Sequence, residues 1–286
     1  MRVFDPHIHM TSRTTADYQV MADAGVAAIV EPAFWLGQPR TSAETFLDYF
    51  DSLLGWEPYR AAQFGITHFC AIALNPKEAN DPRCRAVLDL LPRYLEKDRV
   101  VAVGEVGLDS GTADEEKVLL AQLHLAAEHG LPVVVHTPHR DKAAGTRRIV
   151  ELVAASGLPP EHVVIDHLNE MTVAMVKDSG SWCGFTIYPN TKMDPARMAL
   201  IAADHGLDKV LINSAADWGV SDPLSTVATA AALAGAGFDD AEIARTFWDN
   251  PVAFYGQSGR LVFDDAALAD ARDQDFGGNT VARGEK

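Results

Sequence analysis

Eight short apolar runs, each followed by a stretch with helical patterning, constrain this chain more than any other feature. They are RVFDPHIH (2–9), AAIVEPAF (27–34), HFCAIALN (68–75), RVVAVGEVGLD (99–109), PVVVHT (132–137), HVVIDHL (162–168), SWCGFTIY (181–188) and KVLINSAAD (209–217). Near-continuous hydrophobicity marks strands buried on both faces, as in parallel sheets covered by helices. The segments between carry helix signals: Thr41 with Glu44 and Thr112 with Glu115 stand at capping-box spacing, and Gly25 and Gly130 follow the helical patterns as C-caps. Eight such units in 286 residues predict an α/β fold, a (β/α)8 TIM barrel. An open doubly wound sheet is the alternative, weakened by the lack of a glycine-rich phosphate fingerprint after the first run. The expected organisation is one barrel domain over 1–260 and a polar, glycine-containing C-terminal extension over 261–286.

Charge narrows the partners. The formal net charge is −16 and the densest basic stretch, His139–Arg148, contains an acid. Binding to a phosphate backbone by counterion release is therefore disfavoured, and a small-molecule substrate is expected. The cysteines Cys70, Cys84 and Cys183 are odd in number and far apart, which reads as reduced thiols of a cytoplasmic protein. No run reaches the roughly 18 apolar residues of a membrane span, so no membrane partner is expected.

In a barrel of this kind chemistry sits where strands end. The first run carries His7 and His9; later runs end on Glu105, His136, His167 and Asp217. Glu105, His136 and His167 are evenly spaced, one strand–helix–strand period apart. Strict alternation puts Val101, Val103 and Glu105 on one face of the fourth run, and Val163, Ile165 and His167 on one face of the sixth. Asp166 then points away and reads as structural. A single histidine at a strand end is more often structural than catalytic. Six ligand-type residues on five strand ends are a different matter. Four imidazoles and two carboxylates suit two divalent ions sharing a carboxylate and a hydroxide, zinc first, with manganese or magnesium as alternatives.

The combination DPHIH, VGEVGLD, VVVHT, IDHL and SAAD resembles the TatD-related branch of the amidohydrolase superfamily. The resemblance spans nearly the whole chain and includes DNPVAFYG near its end. It implies a metallo-dependent hydrolase barrel in which His7 and His9 bind one ion, Glu105 bridges, and His136 and His167 bind the second. It also implies that Asp217 binds the first ion and handles the proton of the attacking water, and that Asp5 supports the strand-one histidines from behind. The chain departs from the family's nucleases: where these have H-x-R it reads HTPHRDK, and where they have H-C-F-x-G it reads HLNEM. These departures suggest a subgroup distinct from the DNases, with Arg140 two residues further along as a replacement cation.

Other candidates for substrate contact are His139 beside Arg140, Glu31 with Phe34 and Trp35, Asn75 and Tyr188. The competing readings are a solvated loop pair for the first two and packing under a loop for the aromatics. His68 lies at a strand start and reads as a non-ligand. The functional expectation is metal-dependent hydrolysis of an amide, ester, lactone or phosphoester bond. The alternatives are a TatD-type 3′-exonuclease or DNase, and a metal-containing binding or trafficking protein without turnover. A PHP-type phosphoesterase fits less well, because no histidine follows His205.

Overall fold

A computed structural model describes residues 1–263. Eight strands lie in sequence order, each parallel to the next: β1 (Val3–Asp5), β2 (Val26–Pro32), β3 (Thr67–Ile72), β4 (Val100–Gly107), β5 (Val133–His136), β6 (Val163–Asp166), β7 (Trp182–Thr186) and β8 (Val210–Asn213). Helices separate them, as the alternating pattern predicts. The segments just past β8 and β1 hold each other, with the Ala215 N–H donating to the His7 carbonyl and the His9 N–H to that of Ala216. This brings the ring of strands nearly to closure, a (β/α)8 barrel.

Two buried clusters define its layers. Val3, Ile29, Ile72, Val103, Val133, Val163, Ile165 and Ile212 pack outward with the helices. Phe4, Val30, Ala71, Val134, Val164 and Leu211 pack inward. Phe254 and Tyr255, from the helix Asn250–Gly256, join the inward cluster, and the Tyr255 hydroxyl donates to the Pro6 carbonyl. Phe263 packs edge-on to Phe4 and Phe69. The extension expected over 261–286 thus contributes packing at its start; residues 264–286 lie outside the described residues.

The facing assignment from alternation needs correction on β6. Val163 and Ile165 face the helices, whereas Val164 and Asp166 face the barrel interior. Val103 of β4 also faces outward. Asp166, read from the sequence as pointing away, is the inward residue.

Local signals decide how the loops start. Thr112 caps the helix Ala113–His129 by accepting from the Glu115 N–H. The Glu115 carboxylate does not complete the box but accepts N–H bonds from Asp109, Ser110 and Gly111, fixing the loop after β4. The expected box at Thr41 does not form; that helix starts at Glu44 without a side-chain cap. Among the described residues no helix is long and apolar enough to cross a membrane.

Candidate metal centre

Glu105 is central because β4 bulges there. Gly104 pairs with Val134 and Val106 with Val135, so Glu105 is the extra residue of the pair. Such bulges re-aim side chains next to functional sites. The flanking glycines allow the close approach: a Cβ on Gly104 would lie 2.8 Å from Val134 Cβ, and one on Gly107 would lie 2.2 Å from the His136 carbonyl oxygen. Glu105 Oε1 consequently lies 3.1 Å from His136 Nδ1, 2.9 Å from His167 Nε2 and 3.9 Å from His7 Nε2. The other oxygen, Oε2, accepts from Asn75 Nδ2 at 3.1 Å. Burial would raise Glu105, yet the His136 charge and the bonds from His136 and His167 hold it well below the usual carboxylate range.

His167 reaches the cup by another route. It follows the last residue of β6 and has φ of +62°. That left-handed turn brings its side chain to the inner side although its neighbour Asp166 already points inward. Asp166 Oδ2 lies 2.7 Å from His7 Nδ1, and the carboxylate also accepts from the His167 N–H and from Asn213 Nδ2. Burial would raise Asp166, but the His167 charge and the His7 hydrogen bond keep it well below the usual range. An ionised carboxylate only accepts, so His7 Nδ1 carries a proton and Nε2 is the nitrogen that faces the cup.

His7 Nε2 stands 3.1 Å from His9 Nε2. Two imidazole nitrogens face to face at that distance need a proton or a cation between them. Three buried groups have ligand atoms within 4.8 Å of one another: His7, His9 and Glu105; Glu105, His136 and His167; and His7, Asp166 and His167. Nitrogen and carboxylate oxygen donors at this spacing suit a borderline divalent ion. The residues therefore fit metal. Two further ring nitrogens, His9 Nδ1 and His136 Nε2, are buried without a hydrogen bond among the described residues, the second 3.9 Å from Asp109 Oδ1.

Asp217, the sixth expected ligand, is not in these groups. β8 ends at Asn213, and Asp217 lies beyond a turn in which Ala215 has φ of +38°. It lines the same cavity, where its Oδ1 accepts from the Tyr188 hydroxyl and the Gly219 N–H. Asp5 touches neither ring; it accepts from the backbone N–H groups of His7 and Ser214, tying β1 to the segment after β8. Burial raises its carboxyl to about 7.

The protonation pattern has a measurable consequence. Burial opposes charge on His7, but the Asp166 hydrogen bond and the Glu105 charge outweigh it and raise its pKa above 6.5. Burial, with the His7 charge, pushes His9 well below that value, and burial with the Lys192 charge does the same for His167. Metal loading at pH 6.5 is expected to displace a proton from His7 while His9 and His167 are already neutral. Affinity should then fall as pH drops through the raised His7 pKa. Calorimetry in two buffers of different ionisation enthalpy measures this; loading with no proton released would contradict it.

The model of the TatD related DNase family matches residues 4–256. The chain belongs to the TatD-related family. It is 27% identical over 253 residues to an uncharacterised metal-dependent hydrolase of Methanocaldococcus jannaschii, covering 88% of this chain and 99% of that one. A TatD-like protein from Archaeoglobus fulgidus is 28% identical and superposes with a TM-score of 0.75, covering 88% of this chain and 99% of that one. A phosphotriesterase homology protein from Escherichia coli, solved with phosphate in its active site, superposes at 0.65 with 17% identity. It covers 89% of this chain and 98% of that one, a likeness of fold.

The expected contacts of this TatD-related chain separate into three groups. Asn75 and Tyr188 line the central cavity of about 210 Å³, together with His139 at its rim. Arg140 does not: it is exposed and lines a neighbouring groove of about 840 Å³, which shares Lys77 and His139 with the cavity. Glu31 does not reach the cavity. It is fully buried, with Oε1 accepting from the Thr11 N–H and hydroxyl and Oε2 lying 2.9 Å from His68 Nε2. With both oxygens taken by Thr11 and by His68 of β3, it has nothing to offer a substrate. Phe34 stacks on His9 at 3.8 Å between ring centres and Trp218 packs on Phe34 at 4.9 Å, so these aromatics wall the cup. Sequence reasoning missed Lys192, whose Nζ lies 3.1 Å from His167 Nδ1. No motif marks it; its position in the loop after β7 was the one available signal.

Proposed function

We propose that this TatD-related chain is a metal-dependent hydrolase that cleaves an amide, ester, lactone or phosphoester bond of a small molecule, using two divalent ions, zinc first. The observation that carries the reading is the shared carboxylate, Glu105 Oε1, facing histidines from β5, from the end of β6 and from the segment after β1. Divalent ions in such a cup supply Lewis acidity and bring the pKa of water to about 7. His7 and His9 would hold one ion and His136 and His167 the other, with the Glu105 carboxylate available to both pairs. Asn75 fixes the second Glu105 oxygen, and Asp166 holds His7 in the tautomer that presents Nε2. Asp217 Oδ2 accepts no hydrogen bond among the described residues, which leaves it free to take the proton of the attacking water; the Tyr188 hydroxyl orients the carboxylate through Oδ1. The three cysteines are free and buried, in keeping with a reducing cytoplasm.

Turnover of ester, lactone, phosphoester and amide panels by metal-loaded protein tests the reading. Asp217→Asn is expected to lower the rate on any accepted substrate about 10²–10⁴-fold, the range for a positioned acid–base group. Equal rates would remove Asp217 from proton handling, and no turnover on any panel would favour a metal-holding protein without turnover. Labelled single-stranded DNA, with Glu105→Ala as control, separates the nuclease reading. The charge of −16 weighs against that reading.

A further inference from the structure

The hydrolase reading leaves the substrate's chemistry open, and the cavity walls differ in a way that narrows it. On one side stands Lys192. Its backbone is fixed: its N–H donates to the Tyr188 carbonyl, its carbonyl accepts from the Arg197 guanidinium, and the next residue, Met193, is buried. Its ammonium has no carboxylate within ion-pair distance among the described residues, in contrast to Lys77, which pairs with Asp109 at 2.7 Å. Among the described residues, the one hydrogen-bond partner of Nζ is His167 Nδ1. On the other side Phe34 and Trp218 present apolar ring faces, and Trp218 is 50% exposed.

Metal loading would change the partner of Lys192. A ligand at His167 Nε2 requires the proton on Nδ1. Thr186 Oγ1, 2.6 Å away, accepts that proton while its own hydroxyl turns to donate to Asn213 Oδ1 at 2.8 Å. A protonated Nδ1 offers nothing to an ammonium. Lys192 is thereby freed beside the cations, inside a cavity of about 210 Å³.

Resting on the hydrolase reading, we propose that Lys192 is the anion-binding and specificity-determining residue of this site. The substrate is a small organic anion whose charged group meets Lys192 and whose apolar part lies on the Phe34–Trp218 wall. Lys192, and not Arg140, then supplies the cation that the H-x-R position of the nucleases would have carried.

Titration of metal-loaded protein with methylphosphonate and phenylphosphonate, followed by calorimetry, tests this, with metal content measured on each sample. Lys192→Met is expected to weaken both ligands about tenfold or more, as for loss of a charge-assisted hydrogen bond. Lys192→Arg should recover most of that loss, Arg140→Ala should leave affinity unchanged, and metal content should stay at the wild-type level throughout. Phenylphosphonate should bind the wild type more tightly than methylphosphonate, and Trp218→Ala should remove that preference. Unaltered affinity in Lys192→Met, or a loss in Arg140→Ala alone, overturns the proposal, and equal binding of the two ligands to the wild type overturns its apolar half. A wild type that takes up no metal would instead defeat the hydrolase reading beneath it.

Discussion

Replacing Glu105 by glutamine is expected to remove most of the bound metal and lower hydrolytic turnover by roughly 10³-fold, since Lewis-acid stabilisation of several kcal/mol is lost. One Glu105 oxygen faces three imidazoles and the other is held by Asn75, whereas Asp166, the other carboxylate near both histidine pairs, meets His7 and His167 through their Nδ1 atoms. Glutamine keeps the size and the Asn75 contact but turns one ligand atom into a neutral amide. The fold should persist, because Gly104 and Gly107 still let β4 close on β5. Metal content by elemental analysis and a far-ultraviolet spectrum on the same sample check this. Retained metal with full turnover would place the centre elsewhere.

Asp166→Asn should have the second largest effect, although it touches no ion in the proposed arrangement. The carboxylate forces the proton of His7 onto Nδ1. An asparagine amide can donate to Nδ1 instead, moving the proton to Nε2, the nitrogen that faces His9. Loss of such an orienting partner typically costs about 10–100-fold in metal affinity. Asp166 also contributes to stability, with a definite sign. Its folded pKa lies below the model-peptide value of 3.8, so its contribution is present above about pH 4 and is lost as pH falls further. Competition against a chelator measures the affinity, and acid unfolding of the metal-free proteins measures the stability. Equal zinc affinity in the two proteins would contradict the tautomer argument.

The barrel was legible because burial on both faces writes itself into composition: eight apolar runs became eight parallel strands in order. The cup was legible for a related reason. His7, His9, Glu105, His136 and His167 are too polar to end buried strands by chance, and the structure gathers these five around one carboxylate oxygen or one ring nitrogen. Facing was less legible, because alternation fails where backbone geometry departs from a regular strand. The left-handed φ of His167 lets two neighbouring residues reach the inside, so Asp166 was assigned to the wrong face. The bulge at Glu105 put that side chain inward while Val103, two residues before it, faces the helices. Charges were the least legible. Glu31 and His68 pair with each other behind the barrel, and Lys192 enters from a loop whose path depends on tertiary contacts. One-dimensional spacing carries neither fact.

Elemental analysis after equilibrium dialysis against zinc or manganese tests directly whether the cup holds divalent metal. The wild type is expected to retain up to two ions per chain at neutral pH, and Glu105→Gln to retain well under half of the wild-type amount. A wild type that binds neither metal above the level of Glu105→Gln would contradict it.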